Sequence, residues 1–145
     1  MANHYRQASA TAIAQCNAIV DLLDAGSGAG SFIVYTGTEP AYADDAAATE
    51  VATCTLDGPA YGDAAADAVN HWADANLTST ATDSSATGNA NAVTYFRAVD
   101  SDSTVVWQGT AGTSGTDLVL NSAVIGAGAQ VDITQMEVQV PYNGA

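Results

Sequence analysis

The run Ala92-Val93-Thr94-Tyr95-Phe96-Arg97-Ala98-Val99-Asp100-Ser101-Asp102-Ser103-Thr104-Val105-Val106-Trp107-Gln108-Gly109 decides the fold class. Residues 92–100 alternate, with Val93, Tyr95 and Arg97 on one face of an extended chain and Thr94, Phe96 and Ala98 on the other. Asp100-Ser101-Asp102-Ser103 is a turn, because short oxygen-bearing side chains bond their own backbone. Residues 104–109 then resume a β-branched and aromatic run with Val105, Val106 and Trp107. The whole predicts a β-hairpin.

Further strands lie on either side. Residues 31–36, with Phe32, Ile33, Val34 and Tyr35, form a strand that Thr36-Gly37-Thr38-Glu39-Pro40 breaks. Residues 42–48 read as a loop carrying Asp44 and Asp45, and residues 50–56, with Val51 on one face, as a strand closed by Asp57-Gly58-Pro59. Residues 64–77 tolerate a helix through their alanines, Val69 and Trp72, but the turn chemistry around them favours loop and strand. Residues 118–120 and 131–140 are strands, and Pro141 ends the last of them. In 131–140, Val131, Ile133, Gln135, Glu137 and Gln139 oppose Thr134, Met136, Val138 and Val140. Those faces do not separate cleanly until Thr134, which places a bulge there.

Residues 9–24 are the one clear helix. Ala12, Cys16, Ile19 and Leu23, joined by Ile13 and Val20, form an apolar stripe at three- and four-residue spacing. Ser9 reads as its N-cap and Gly26 as its stop. Asp21 and Asp24 oppose the helix dipole at the C-terminus, so tertiary packing must carry the helix. The fold expected is mainly β (α+β): a β-sandwich or barrel of six to eight short strands with one N-terminal helix packed against it. Residues 1–8 form an N-terminal arm, and residues 9–145 a single domain.

Sixteen acids face Arg6 and Arg97 alone, with no lysine, for a formal charge of −14. Such a surface lacks the cationic footprint that nucleic acid requires, and an anionic membrane is disfavoured on the same ground. Two readings of the charge stand: solubility with repulsion between neighbouring particles, or a saline, halophilic setting in which salt screens that repulsion. The first twenty residues hold no continuous apolar core, so no secretory signal is expected, and no stretch approaches a bilayer span. Synthesis in a cytoplasm follows, with Cys16 and Cys54 as reduced, buried thiols. The apolar fraction of 48% contains much alanine, which implies a thin core.

No motif carries a reaction. Gly26-Ser27-Gly28-Ala29-Gly30 follows a helix and precedes a strand, the wrong order for a phosphate loop. Asp100-Ser101-Asp102 lacks the glycine and terminal acid of a calcium loop, and Asp44 and Asp45 read as a solvated loop. His4 and His71 have no zinc-ligand spacing with Cys16 or Cys54. His71 is the one histidine placed for a Ser-His-Asp site, but no Gly-x-Ser-x-Gly elbow accompanies it. Asn76-Leu77-Thr78 is a glycosylation triplet of the kind that arises by chance in such a composition. Trp72 and Trp107 fit either an interface or the core, the core being favoured for Trp107. The chain is therefore expected not to be an enzyme, with no catalytic residue, metal or cofactor.

Several stretches carry a resemblance. Ile19-Val20-Asp21-Leu22-Leu23-Asp24-Ala25-Gly26-Ser27-Gly28 followed by Ile33-Val34-Tyr35-Thr36-Gly37-Thr38-Glu39-Pro40-Ala41 resembles small proteins encoded among the head genes of tailed phages. Val93-Thr94-Tyr95-Phe96-Arg97-Ala98-Val99-Asp100-Ser101-Asp102, Val105-Val106-Trp107-Gln108-Gly109 and Gly112-Thr113-Ser114-Gly115-Thr116-Asp117-Leu118 are similar as well. The likeness spans most of the chain outside residues 64–86. It departs at Ser103, where a hairpin glycine is expected, and in the absence of lysine, which suits a virus of a marine or halophilic host.

The resemblance implies a virion location and a capsid decoration (cement) protein. Its partners are then the major capsid protein and copies of itself as a homo-oligomer. The alternatives are a receptor- or glycan-binding module of a tail fibre or spike, with Tyr42, Tyr61 and Trp72 lining the site, and a head–tail connector or tail component.

Overall fold

The computed structural model describes residues 6–142. In chain order these form α1 (Ser9–Val20), a 3-10 turn (Asp21–Asp24), β1 (Ser31–Thr36), β2 (Thr49–Thr55), β3 (Ala65–Asp67), β4 (Trp72–Asn76), β5 (Thr82–Asp83), β6 (Tyr95–Val99), β7 (Val105–Gly112), β8 (Leu118–Leu120), β9 (Val131–Gln135) and β10 (Glu137–Pro141).

The hairpin forms where expected. β6 and β7 pair antiparallel, with Ala98 opposite Trp107 and Arg97 opposite Gln108. In the turn, Asp100 Oδ1 accepts the N–H groups of Asp102 (2.9 Å) and Thr104 (2.8 Å). Its carboxylate therefore serves the turn. Ser103 takes φ 67°, a left-handed conformation that glycine adopts without steric cost.

The hairpin belongs to a closed seven-stranded barrel in the order β1-β2-β5-β9-β8-β7-β6. Of the two architectures expected, the barrel is the one formed. Its interior is read directly from the register: Phe32 and Val34 of β1 face the same side as their partners Ala98 and Phe96. Phe32 stands edge-on to Phe96 (5.5 Å) and to Trp107 (6.4 Å), and Trp107 in turn to Tyr61. Closure is narrowest at the two-residue β5, where Thr82 pairs with both β2 and β9 and Asp83 with β9. The Asp83 carboxylate reinforces that seam by accepting the Thr53 N–H at 2.9 Å.

Residues 64–77 are loop and strand, and they supply what the helix rests on. β3 and β4 form a hairpin that pairs with β10 in a separate three-stranded sheet, order β10-β4-β3. The α1 helix packs on this sheet. The contact is built from small residues, since Ala12 and Cys16 of the helix and Ala73 and Ala75 of β4 are all fully buried. Alanine lets helix and sheet approach closely, so the thin core has a structural use.

Three details of the helix differ from the sequence reading. Ala8 occupies the N-cap and makes no side-chain cap, Ser9 being the first helical residue. The α-helix ends at Val20, before a 3-10 turn. Ile19 is 36% exposed, so the buried stripe is Ala12, Cys16, Val20 and Leu23. The narrow sheet beneath covers less of the circumference than the periodicity implied. Asp24, unfavourable to the dipole, instead accepts the Ala60 N–H at 3.1 and 3.2 Å. Of the expected arm, Met1–Tyr5 lie outside the described residues, while Gln7 Nε2 donates to the Pro141 carbonyl at 2.7 Å.

The expected strand 131–140 is two strands, and the anomaly at its centre is larger than a bulge. Val131 and Ile133 are buried inside the barrel, whereas in β10 the even residues Val138 and Val140 are the partly buried ones. The parity reverses at Gln135–Met136, where the chain leaves the barrel and enters the small sheet with Met136 buried.

Residues 37–48 lie as a strap over the outer face of β6. Arg97 Nη2 donates to the Asp45 carbonyl (2.7 Å), Gln108 Nε2 to the Pro40 carbonyl (2.6 Å), and the Ala48 N–H to Tyr95 Oη (2.7 Å). Tyr95 also stacks on Tyr35 at 4.9 Å. All five residues of β6 are consequently buried, on both faces.

Two substitutions test this account with opposite signs. A Cβ at Gly30 would stand 2.6 Å from the Val99 carbonyl oxygen and 2.9 Å from that of Leu23. Gly30→Ala should therefore lower unfolding free energy by about 1–3 kcal/mol in urea titrations. Ser103→Gly should raise it by up to about 1 kcal/mol, the relief at a left-handed position exceeding glycine's entropy cost. A neutral Gly30→Ala would show that the passage between the 3-10 turn and β6 is not tight.

Candidate functional site

Two grooves flank the crossing at Met136. The first, about 310 Å³, runs between Asn76–Leu77, Ser79–Thr80 and residues 133–137. The second, about 340 Å³, has Trp107 and Asp117 on one bank and Glu137, Val138 and Gln139 on the other, with Ile19 and Met136 completing the apolar lining. Neither lining contains a histidine or a cysteine. The second groove is the more distinctive, because it combines an apolar floor with two carboxylates. Trp107 brings an indole N–H that is buried and has no acceptor among the described residues.

The sequence candidates are dispersed. His71 sits exposed on the β3–β4 turn at φ 62°, edge-on to Tyr142 at 5.8 Å. His4 lies outside the described residues. Cys16 donates to the Val138 carbonyl at 3.3 Å under the small sheet, whereas Cys54 lies in the barrel strand β2, by the Val131 carbonyl. Among the described residues no three His, Cys, Asp or Glu side chains are placed to share a metal ion. Ser101 Oγ accepts the Gly28 N–H at 3.0 Å, so the glycine run is packed against the hairpin turn. Asp45 contributes its backbone carbonyl to Arg97. Thr78 Oγ1 of the glycosylation triplet donates to the Pro59 carbonyl at 2.7 Å.

The aromatic patch considered for a glycan site does not assemble as expected. Tyr61 is buried, with no partner for its hydroxyl among the described residues and its titration pushed well above the ordinary phenol range by burial. Tyr42 is 73% exposed, on the strap. Trp72 is half-buried on the small sheet. Tyr61 was misplaced because its interior position depends on Trp107, which is remote in sequence. The groove residues Met136, Val138 and Gln139 escape the sequence reading for a different reason: alternation alone joins them to 131–135 in one strand, and the parity conflict at Thr134 is the one signal of the change of sheet. Among the described residues, no helix is long and apolar enough to cross a membrane.

Electrostatics single out the outer face of the small sheet. Asp74 stands opposite Ala65 of β3 and Gln139 of β10. Its pKa is raised by burial first, then by the charges of Asp67 and Glu137. Asp67 is held below the ordinary range chiefly by the Asn70 backbone N–H it accepts, with the Asn70 side chain and Val69 N–H adding to this. Burial also pushes Cys16 up, with Asp74 adding to the shift, and takes Cys54 from 9.0 to about 12 with help from Asp83 and Asp132.

These shifts have definite signs. A carboxyl whose folded pKa is raised costs stability as pH climbs past its unfolded value. Asp74→Asn should thus raise the melting temperature at neutral pH and lose that advantage in acid, where Asp74 is protonated anyway. A pH-independent gain would assign the effect to packing. The raised thiol pKa values act in the alkaline range. Their contribution is intact below pH 9 and is lost as pH rises toward about 12 for Cys54. Both thiols should resist aromatic disulfide reagents in the native protein and react on unfolding, whereas rapid native labelling would contradict their burial.

No protein-family model, curated protein or solved structure matches this chain.

Proposed function

We propose that this chain is a virion structural protein, a capsid decoration (cement) protein that stabilises the shell of a tailed virus by bridging major capsid subunits. The observation that carries the reading is the strongly acidic surface, on which Arg6 is the one exposed arginine among the described residues. Of the two arginines, Arg97 is buried beneath the strap, and the exposed one, Arg6, immediately precedes α1. On the described surface the carboxylates are spread over strap, turns and sheet faces, with no opposing lysine anywhere in the chain. Such a surface repels nucleic acid and other copies of the particle, and the helix side adds Arg6 at one end and, at the other, Leu22, 51% exposed beside the exposed Asp21.

In this reading the helix side meets the shell and the acidic loops face outward. Each copy buries a modest patch, and attachment at many lattice points multiplies weak contacts. Bound shell stabilises only the folded protein, which suits an alanine-rich core. The sequence resemblance to phage head proteins points the same way. A tail adhesin is less well served, because Tyr61 is withdrawn into the core.

The test uses particles. Virions should carry the protein in hundreds of copies, on the order expected for shell lattice sites. Particles lacking it should assemble and then burst more readily on heating or osmotic shock. Leu22→Asp, at an exposed position, should leave the domain folded and abolish decoration. A few copies per particle, or normal robustness with lost adsorption to host cells, would reject the cement assignment. If the charge reflects a saline setting, melting temperature should also climb between low and multimolar salt. A flat or falling profile would remove the halophile reading alone.

A further inference from the structure

The strap, residues 37–48, joins β1 to β2, and its two ends stand side by side. Thr36 pairs with Thr49 in the register of those strands, and a Cβ on Gly37 would lie 3.1 Å from that of Ala48. Gly37 takes φ 106° where the chain leaves the sheet, a conformation open to glycine. The Thr94 hydroxyl holds the Gly37 carbonyl at 2.6 Å, so the base is fixed to the barrel. The strap is thus a closed excursion on a fixed base, in the manner of an Ω-loop.

No side chain of residues 37–48 is buried. Beyond the base, the strap is held to β6 and β7 through its backbone: the Pro40 carbonyl accepts from Gln108, the Asp45 carbonyl from Arg97, and the Ala48 N–H donates to Tyr95. What it covers is costly to cover. Arg97 is 5% exposed, yet its one side-chain hydrogen bond among the described residues goes to a neutral carbonyl. Its Nε has no partner among those residues, nor has Oε1 of Gln108, which stands directly opposite on β7. A buried charge is stabilised by the bonds it makes, and this guanidinium makes few. Closing the strap also orders the segment without burying any of its own side chains. The closed form is the ground state because it keeps Tyr95, stacked on Tyr35, out of water.

We propose that residues 37–48 are a latch that lifts as one unit while the barrel stays closed, uncovering Arg97, Tyr35 and Tyr95. The strap supplies no strand to the barrel, so lifting it breaks no strand pairing: β6 remains paired with β1 and β7. Phe32, Phe96 and Trp107 stay packed on the inner side. Segments with few buried side chains and a small set of backbone bonds open at lower free energy than the core they cover. The face that opens is unlike the surface around it. It presents a guanidinium, two phenols and a carboxamide on one sheet, whereas the closed molecule exposes Arg6 as its one arginine among the described residues. The inference concerns the isolated protein and does not rest on the shell reading.

Chemical labelling of the full chain tests the latch, with Arg6 as the internal reference. A dicarbonyl reagent should label exposed Arg6 at once and Arg97 more slowly, at a rate nearly insensitive to low urea, since lifting the strap exposes little surface. Tyr95→Phe keeps the ring but removes the acceptor of the Ala48 N–H. Arg97 labelling should then quicken about fivefold, the scale of one hydrogen bond, with the same weak urea dependence. Excising residues 38–47 joins Gly37 to Ala48 in a two-residue turn with glycine first, a favoured hairpin connection. That variant should unfold cooperatively and label Arg97 at a rate comparable to Arg6. Arg97 labelling that rises with urea in step with global unfolding would overturn the proposal. So would an unchanged rate in Tyr95→Phe, or an excision variant that does not fold, because the strap would then be part of the barrel's cooperative unit.

Discussion

The architecture turns on one constraint, the passage of residues 131–141 from the barrel into the small sheet. Side chains along a strand alternate with a period of two, so a continuous strand can bury only odd or only even residues on one side. Here Val131 and Ile133 must fill the barrel, and Val138 and Val140 must lie under the helix. The reversal at Gln135–Met136 satisfies both, with Met136 buried at the pivot. A flexible thioether suits that irregular space. Everything on the helix side follows from the pivot: β4 and β3 stack outward from β10, α1 lies on them, and a groove opens on each flank.

A second constraint is the use of charge. An arginine removed from water is costly unless its donors are bonded. Arg97 has one side-chain hydrogen bond among the described residues, to the Asp45 carbonyl, and its Nε has no partner among them. The strap nevertheless gains from it, because a guanidinium donating to a carbonyl gives a charge-assisted bond stronger than a neutral one. The Gln108 and Tyr95 contacts fix the strap at two further points. The outer face of β6 thereby leaves the solvent, and the exposed surface becomes more uniformly anionic. Acids placed against the helix dipole or within the barrel seam are likewise used locally, as Asp24 and Asp83 show by accepting backbone N–H groups.

Local periodicity made the hairpin, the first strands and the helix legible, because each of these signals is contained within some twenty residues or fewer. What it missed depends on partners distant in sequence. The alternation of Tyr95 and Arg97 with Phe96 and Ala98 implied one solvated face, whereas a loop about fifty residues earlier in the chain covers it. Ile19 fitted the helical stripe, but the sheet that would have buried it is only three strands wide. Residues 64–77 were ambiguous because alanine satisfies both templates, and only pairing with β10 decides between them. Of the groove, the one visible trace was the conflict of faces around Thr134. A bulge and a change of sheet produce the same pattern there, and only the pairing of residues 137–141 with β4 distinguishes them.

The crossover that seats the helix also leaves strand edges open among the described residues. Once the chain leaves the barrel at Met136, β8 has no strand to pair with before Leu118, and β7 has no second neighbour over residues 105–109. β10 acquires a bare edge for the same reason. Natural sheets guard such edges with charge, with proline or with short length. This one has Asp117 and Glu137 on the two banks, Pro141 at the end of β10, and only five residues to offer. Asp117 and Glu137 stand on opposite banks of one groove, so an acidic strand brought to either edge meets like charge from both sides, and the crossover that opens these edges also places the carboxylates that guard them.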